Sequence, residues 1–463
     1  MRLWIACSFA SVAAFATDVP ASNITFNKDV LPVLQANCQS CHRPGQIAPM
    51  SFLTYESTRP WAKAIKIAVL SKKMPPWFAD PNVGHFANDR TLKPHDVEVL
   101  TKWADSGSPL GNPQDAPAAI KWPENGWQIK PDYIAQGNTF TVAAHPPHDV
   151  IEWMTVTMPT GFTKDTWVTS IEIKPSDPEV THHICMSFRP HVESAKYDVP
   201  TWTDKPRDES GSALPRTAAQ IAANPRVAGA ADGDDARRRE AAANPGETGG
   251  CYVPGVGAFD YRPYQSARLI KAGTDMVFSL HYTPNGKETK THTEVGFTIA
   301  QQEPNRRYVY LASSSPADAD HFAIPPNDPN WLSPPAEATF VEDAELVWMM
   351  PHMHVRGKDM SYKLIFPDGK EQMILNVPHY DFNWQLGYAV EAPIKVPKGT
   401  KLVGIAHFDN SANNKFNPDP NRTVYYGDMT WEEMMMPFFA VTVDKAVAPS
   451  KILKRAALVR DGA

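Results

Sequence analysis

No stretch of this 463-residue chain stays apolar for long. A helix that spans a bilayer needs roughly 18 such residues in a row, so a transmembrane segment is not expected. Basic residues are not in excess either: 45 Lys and Arg stand against 51 Asp and Glu, a formal net charge of -6. That balance offers no cationic surface for a phosphate backbone, and nucleic acid is not an expected partner. Glycine, at 25, is outnumbered by proline, at 44. Proline fixes its own backbone and removes a donor, so short strands and loops are expected in place of long helices. Cysteine is scarce, with only five residues, and their positions matter more than their number.

Arg2, the apolar run Leu3 to Phe15 and the small-x-small Ala14-Phe15-Ala16 read as a secretory signal over 1–16. Cys7 raises the alternative of a lipid anchor, but Trp4 stands where a lipobox needs a small aliphatic residue. A periplasmic or secreted chain follows, and cysteine use agrees with an oxidising compartment. Cys7 leaves with the signal and Cys38 and Cys41 belong to a motif, so Cys185 and Cys251 remain as an even pair. A bridge between them is expected to contribute roughly 4 kcal/mol by restricting the unfolded chain. The plainer alternative is two buried thiols.

The most specific local signal is Cys38-Gln39-Ser40-Cys41-His42. Two thiols at this spacing add across haem vinyl groups while the adjacent imidazole takes the iron, so one covalent haem c is expected on Cys38, Cys41 and His42. A surface zinc knuckle is the plainer alternative. For the opposite iron position Met74, in Lys73-Met74-Pro75-Pro76-Trp77, is favoured because prolines stiffen its loop. Met50 and His85 are its rivals. Asn27 is placed to cap a helix carrying Val30, Leu31 and Leu34, and Trp61, Ile65, Ala68 and Val69 recur at helical spacing. A last helix is expected to begin near Pro94, bury Val97, Leu100 and Trp103, and stop at Gly107. Residues 23–112 are therefore expected to form a small all-α cytochrome c domain.

Beyond residue 113 the texture changes to short β-prone runs between proline and glycine turns. Examples are Val150 to Thr157, Trp167 to Ile173, Met276 to Tyr282, Glu294 to Ile299, Glu345 to Met349 and Lys401 to Ala406. Their spacing predicts antiparallel β-sandwiches. The stretch is long for one, so two are expected, over 113–302 and 303–463. Residues 204–250, rich in Ala, Gly, Asp and Arg, are too poor in apolar side chains to build core and read as a mobile insertion.

Histidines supply the remaining chemistry. His352 and His354 are spaced to share one face of a strand. His182 and His183 are adjacent, so joint ligation would need a β-bulge or different ring nitrogens. Each motif alone is more often an ordinary surface or core pair. In order, however, Thr181-His182-His183-Ile184, Leu280-His281-Tyr282, Pro351-His352-Met353-His354-Val355-Arg356-Gly357-Lys358 and Trp431-Glu432-Glu433-Met434 resemble the copper type II, ascorbate-dependent monooxygenases. Peptidylglycine α-hydroxylating and dopamine β-monooxygenases belong to that family.

The resemblance spans roughly 113–450 and implies two jelly-roll-like sandwiches, each with one copper. It places His182, His183 and His281 around an electron-transfer copper, and His352, His354 and Met434 around a copper that meets dioxygen. Imidazole suits copper in both redox states, and a thioether favours Cu(I). The implied activity is a monooxygenase that takes dioxygen, a small organic substrate and electrons from an external reductant or redox partner protein. Where the peptide-amidating relatives hold a substrate carboxylate with Arg, Asn and Tyr, this chain has Met350, Met436 and Phe438. A more apolar pocket and a substrate other than a peptide carboxylate are expected. The competing readings are a haem and copper electron-transfer protein without monooxygenase activity, and a binding module whose metal sites have decayed.

Overall fold

The computed structural model describes residues 24–46, 48–122, 126–145, 151–202, 247–253, 256–316, 320–427 and 429–455. The expected signal and most of span 204–250 lie outside the described residues; the last residues of that span open the strand Glu247–Tyr252. The chain divides into two compact units. One takes the described residues up to Ser40 with Met50–Pro75 and Leu92–Ile120, and the other takes Cys41–Pro49, Pro76–Thr91 and the described residues from Lys121 onward.

The first unit holds short helices, Leu31–Asn37, Tyr55–Thr58, Ala62–Leu70 and Pro94–Asp105. Phe26, Val30, Leu34, Ile65, Leu100 and Trp103 form its core. Pro94 begins its helix where a missing N–H costs nothing. Asn27 does not cap; it is buried and donates its side-chain amide to the Gly111 carbonyl. Trp61 is exposed, and Ala62, Ile65 and Val69 make the buried stripe.

The second unit contains the sandwiches. A nine-stranded sheet runs in the order Tyr133–Gln136, Thr293–Ile299, Thr166–Pro175, Ser266–Ile270, Arg306–Ala312, Met436–Asp444, Ala344–His352 and Tyr388–Val396, with Phe259–Asp260 beside Thr166–Pro175. Its first half packs on a five-stranded sheet that includes Ile151–Pro159, Thr274–Tyr282, Thr181–Pro190 and Glu247–Tyr252. Its second half packs on a six-stranded sheet that includes Glu371–Val377, Gly357–Ile365, Lys401–Phe408 and Ala336–Phe340. A short parallel pairing, Arg306 with Ser266 and Arg307 with Ala267, makes the large sheet continuous. The strand Ala344–His352 is apolar on both faces because it is covered on both: Leu346 and Met349 join one core, and Val347 and Met350 the other.

The expected fold class is corrected in its helical part. The chain is mostly β, with 38% strand against 14% helix, and among the described residues no clear all-α cytochrome c domain is seen. The physical reason lies in the segment Pro76–Thr91. It lies outside the helical unit, and its Trp77, Phe78 and Phe86 pack against the core of the C-terminal sandwich. The sandwiches themselves are present, with strands at each of the expected β-prone runs. Among the described residues no helix is long and apolar enough to cross a membrane.

Candidate metal centre

His182 and His183 open the strand Thr181–Pro190, and His281 lies near the end of its antiparallel partner Thr274–Tyr282. His281 pairs with His183, but the next residue, Tyr282, pairs with Thr181. His182 is thus the extra residue of a β-bulge, which breaks the alternation that would have sent the two imidazoles to opposite faces. Ligand atoms of His182, His183 and His281 lie within 4.8 Å of one another. The His182 and His183 Nδ1 atoms are 2.8 Å apart. Burial keeps all three neutral, pulling His182 down to about 4 and His281 to about 3, and His183 well below the usual histidine range. Neutral imidazole is the form that binds a metal.

The second group is assembled differently from its expectation. His352 ends its strand, but His354 lies in the following turn, so a shared strand face does not aim the pair. Latches do. The His354 backbone N–H donates to Glu433 Oε2 at 2.8 Å, and the Arg356 N–H to Glu433 Oε1 at 2.6 Å. His354 Nδ1 lies 3.1 Å from the Glu432 carbonyl. Burial pushes the Glu433 carboxyl up to about 8, against the pull of Arg356 and the backbone donors. Met434 follows Glu433 directly and packs at the margin of the second core. His352 Nδ1 meets Gln385 Oε1 at 2.6 Å. An amide oxygen only accepts, so Nδ1 carries the hydrogen and Nε2 is the nitrogen left for a ligand.

One ring stands between the two groups. Phe382 stacks on His182 at 5.2 Å between centroids and meets His354 edge-on at 6.0 Å. His352 is also close enough to His182 to help hold it neutral. Of the residues expected to replace a polar grip, Phe438 lies 5.9 Å from the His352 ring and Met436 pairs with His352. Met350 is instead buried in the first core. A cluster of neutral imidazole donors fits copper.

The haem motif falls across the boundary between units: Cys38 belongs to the first, Cys41 and His42 to the second. Cys38 closes the helix Leu31–Asn37, with its N–H on the Leu34 carbonyl at 2.9 Å. Gln39 is buried and donates to the Phe52 carbonyl at 2.8 Å. Two thiols and an imidazole remain the donor set that a covalent haem requires. Met74 and Met50 are half-buried in the first unit, and His85 is exposed in the second. The even pair is resolved: Cys185 and Cys251 form a disulfide across paired strands.

Reasoning from sequence missed Phe382, Gln385, Tyr380 and the role of Glu433. The first three lie between the strands ending at Val377 and starting at Tyr388, in a segment whose only signal is its density of aromatics. Two adjacent acids before the apolar Met434 to Met436 run were the available clue to Glu433.

Neither a protein-family model nor any curated protein matches the chain. Among solved structures it is similar to infectious bursal disease virus Gx strain, at 8% identity over 70% of this chain and 77% of that one, with a TM-score of 0.17. T=1 particles derived from infectious bursal virus give 10% identity over 74% and 78%, with a TM-score of 0.17. A Parabacteroides distasonis protein described as secreted gives 9% identity over 68% and 89%, with a TM-score of 0.15. Likenesses this low carry no argument about fold or function.

Proposed function

We propose that the chain is an exported, copper-dependent monooxygenase carrying one covalent haem c, which oxidises a small organic substrate with dioxygen and an external electron donor. The observation that carries the reading is the convergence of His182, His183 and His281 through a bulge, beside the latched pair His352 and His354. The ordered resemblance to the copper type II monooxygenases supports it, and the disulfide agrees with export. His182, His183 and His281 would hold one copper, and His352, His354 and Met434 a second. Copper at such ligands supplies one-electron chemistry toward dioxygen. The protein's own contribution is to keep the imidazoles neutral, fix the tautomer of His352 through Gln385, and wall the space with Phe382. Cys38, Cys41 and His42 would hold the haem.

Metal analysis of the purified mature chain tests this, with two copper and one iron per polypeptide expected. Reductant-driven oxygen uptake that requires both copper and an organic substrate identifies the monooxygenase. Copper that cycles between redox states without such uptake would instead identify an electron-transfer protein.

A further inference from the structure

The segment Pro76–Thr91 touches an outermost strand of each sheet of the C-terminal sandwich. At one end the Asp80 N–H donates to the Asn376 carbonyl at 2.8 Å, and the Asn376 side chain returns a bond to Asp80 Oδ2 at 3.2 Å. Asn376 belongs to Glu371–Val377, the edge of the six-stranded sheet. At the other end the Asn88 side chain donates to the Gly387 carbonyl at 2.8 Å and accepts from the Ala389 N–H at 2.9 Å. Ala87 N–H reaches the Ala389 carbonyl at 2.8 Å, Glu391 N–H the His85 carbonyl at 2.9 Å, and Phe86 pairs with Val390. These partners lie on or just before Tyr388–Val396, the edge of the nine-stranded sheet. Between the two contacts Gly84 has φ +73, and a Cβ there would stand 2.7 Å from the Ile374 carbonyl oxygen, so the close approach requires glycine. Trp77, Phe86 and Tyr388 pack edge-on or tilted against one another, with centroids 4.8 to 6.0 Å apart.

The loop between those edge strands, residues 378–387, carries Phe382, Gln385 and Tyr380. Tyr380 is itself bonded to both the N–H and the carbonyl of Met353, between the two histidines. One strap therefore grips the entry of this loop at Asn376 and its exit at Gly387. We propose that the strap is a clamp on the metal centre, with Asn88 a positioning residue that holds Gln385 against His352 and Phe382 between the two imidazole groups. The inference rests on the copper reading for its consequence, though not for its geometry.

Hydrogen exchange on the full chain tests the clamp without metal. Asn88→Ala removes two hydrogen bonds, so exchange at 378–387 should accelerate roughly tenfold or more. Protection of Thr181–Pro190 should not change. Unaltered exchange at 378–387 would overturn the clamp. Asn88→Asp, which keeps the acceptor for Ala389, is the milder variant should the first fail to fold, and intermediate exchange is expected of it. With copper loaded, Asn88→Ala should speed metal release from His352 and His354 several-fold and leave release from His182, His183 and His281 as it was. A loosened loop with unchanged release would overturn the link to the metal centre. If the wild-type chain takes up no copper at all, the function reading falls and the metal-free exchange result alone decides the clamp.

Discussion

The Nδ1 of His352 and the Oε1 of Gln385 meet at 2.6 Å, which commits the imidazole to one tautomer and one orientation. Partners of this kind typically account for a 10–100-fold effect on metal affinity. Gln385→Leu should weaken copper binding at the His352 and His354 side by roughly that factor. Competition titration against a Cu(I) chelator measures it, with the trio of His182, His183 and His281 as the internal reference. Equal weakening at both sides would show that Gln385 acts on the fold and not on His352.

Metal-free protein should lose stability in acid within a defined window. An unfolded histidine protonates near the usual 6.5, while His182 and His281 in the fold wait until about 4 and about 3. Above 6.5 both states are neutral and the histidines contribute no pH dependence. As pH falls below 6.5 the unfolded chain gains these protons first, so stability declines until folded His182 and His281 protonate in turn, at about 4 and about 3. Thermal melting from pH 4 to 8 reads the effect, and His281→Leu should give a shallower curve. The difference between the two curves isolates the imidazole from Glu433, whose raised pKa acts in the opposite direction.

Arg356 is buried and spends its guanidinium on Asn410 Oδ1 at 2.9 Å and the Trp431 carbonyl at 3.0 Å, while its N–H holds Glu433. Replacing it with Leu leaves those two acceptors without their charged donor. A loss of about 3 kcal/mol or more in denaturant unfolding is expected. Glu433→Gln keeps the shape and an acceptor, and should cost distinctly less. Similar losses from both variants would mean that packing, not charge, holds this corner.

The disulfide joins Cys185 to Cys251, and Cys185 lies two residues from His183. Cys185→Ser with Cys251→Ser should lower stability by about 2–5 kcal/mol and bring down the midpoint of thermal unfolding. Because Glu247–Tyr252 borders the His183 strand, the same variant should loosen copper at that site, measured by chelator competition. Retained stability would place the bridge among incidental contacts.

Much of the β architecture was legible because strands half or fully buried impose apolar runs that end at proline and glycine. Lys401 to Ala406 and Met276 to Tyr282 are such runs, and both are strands. The helical region misled because local periodicity reports which residues turn into helix, not what they pack against. The helix at Pro94 formed, with Leu100 and Trp103 buried as read but Val99 in the place expected of Val97. The aromatics of Pro76–Thr91, with no period to betray them, joined the sandwich core instead.

The types and order of the histidines, the even cysteine pair and the absence of a long apolar run were properties of the linear chain, since chemistry and counting need no geometry. Where His182 points was not. A bulge is an offset between two strands, and it exists only once Thr181 and Tyr282 are paired. The same holds for Phe382, Gln385 and the strap from Asp80 to Asn88. Their roles depend on edges and loops brought together from as near as 33 and as far as 299 residues apart, by cores whose burial outweighs any local preference.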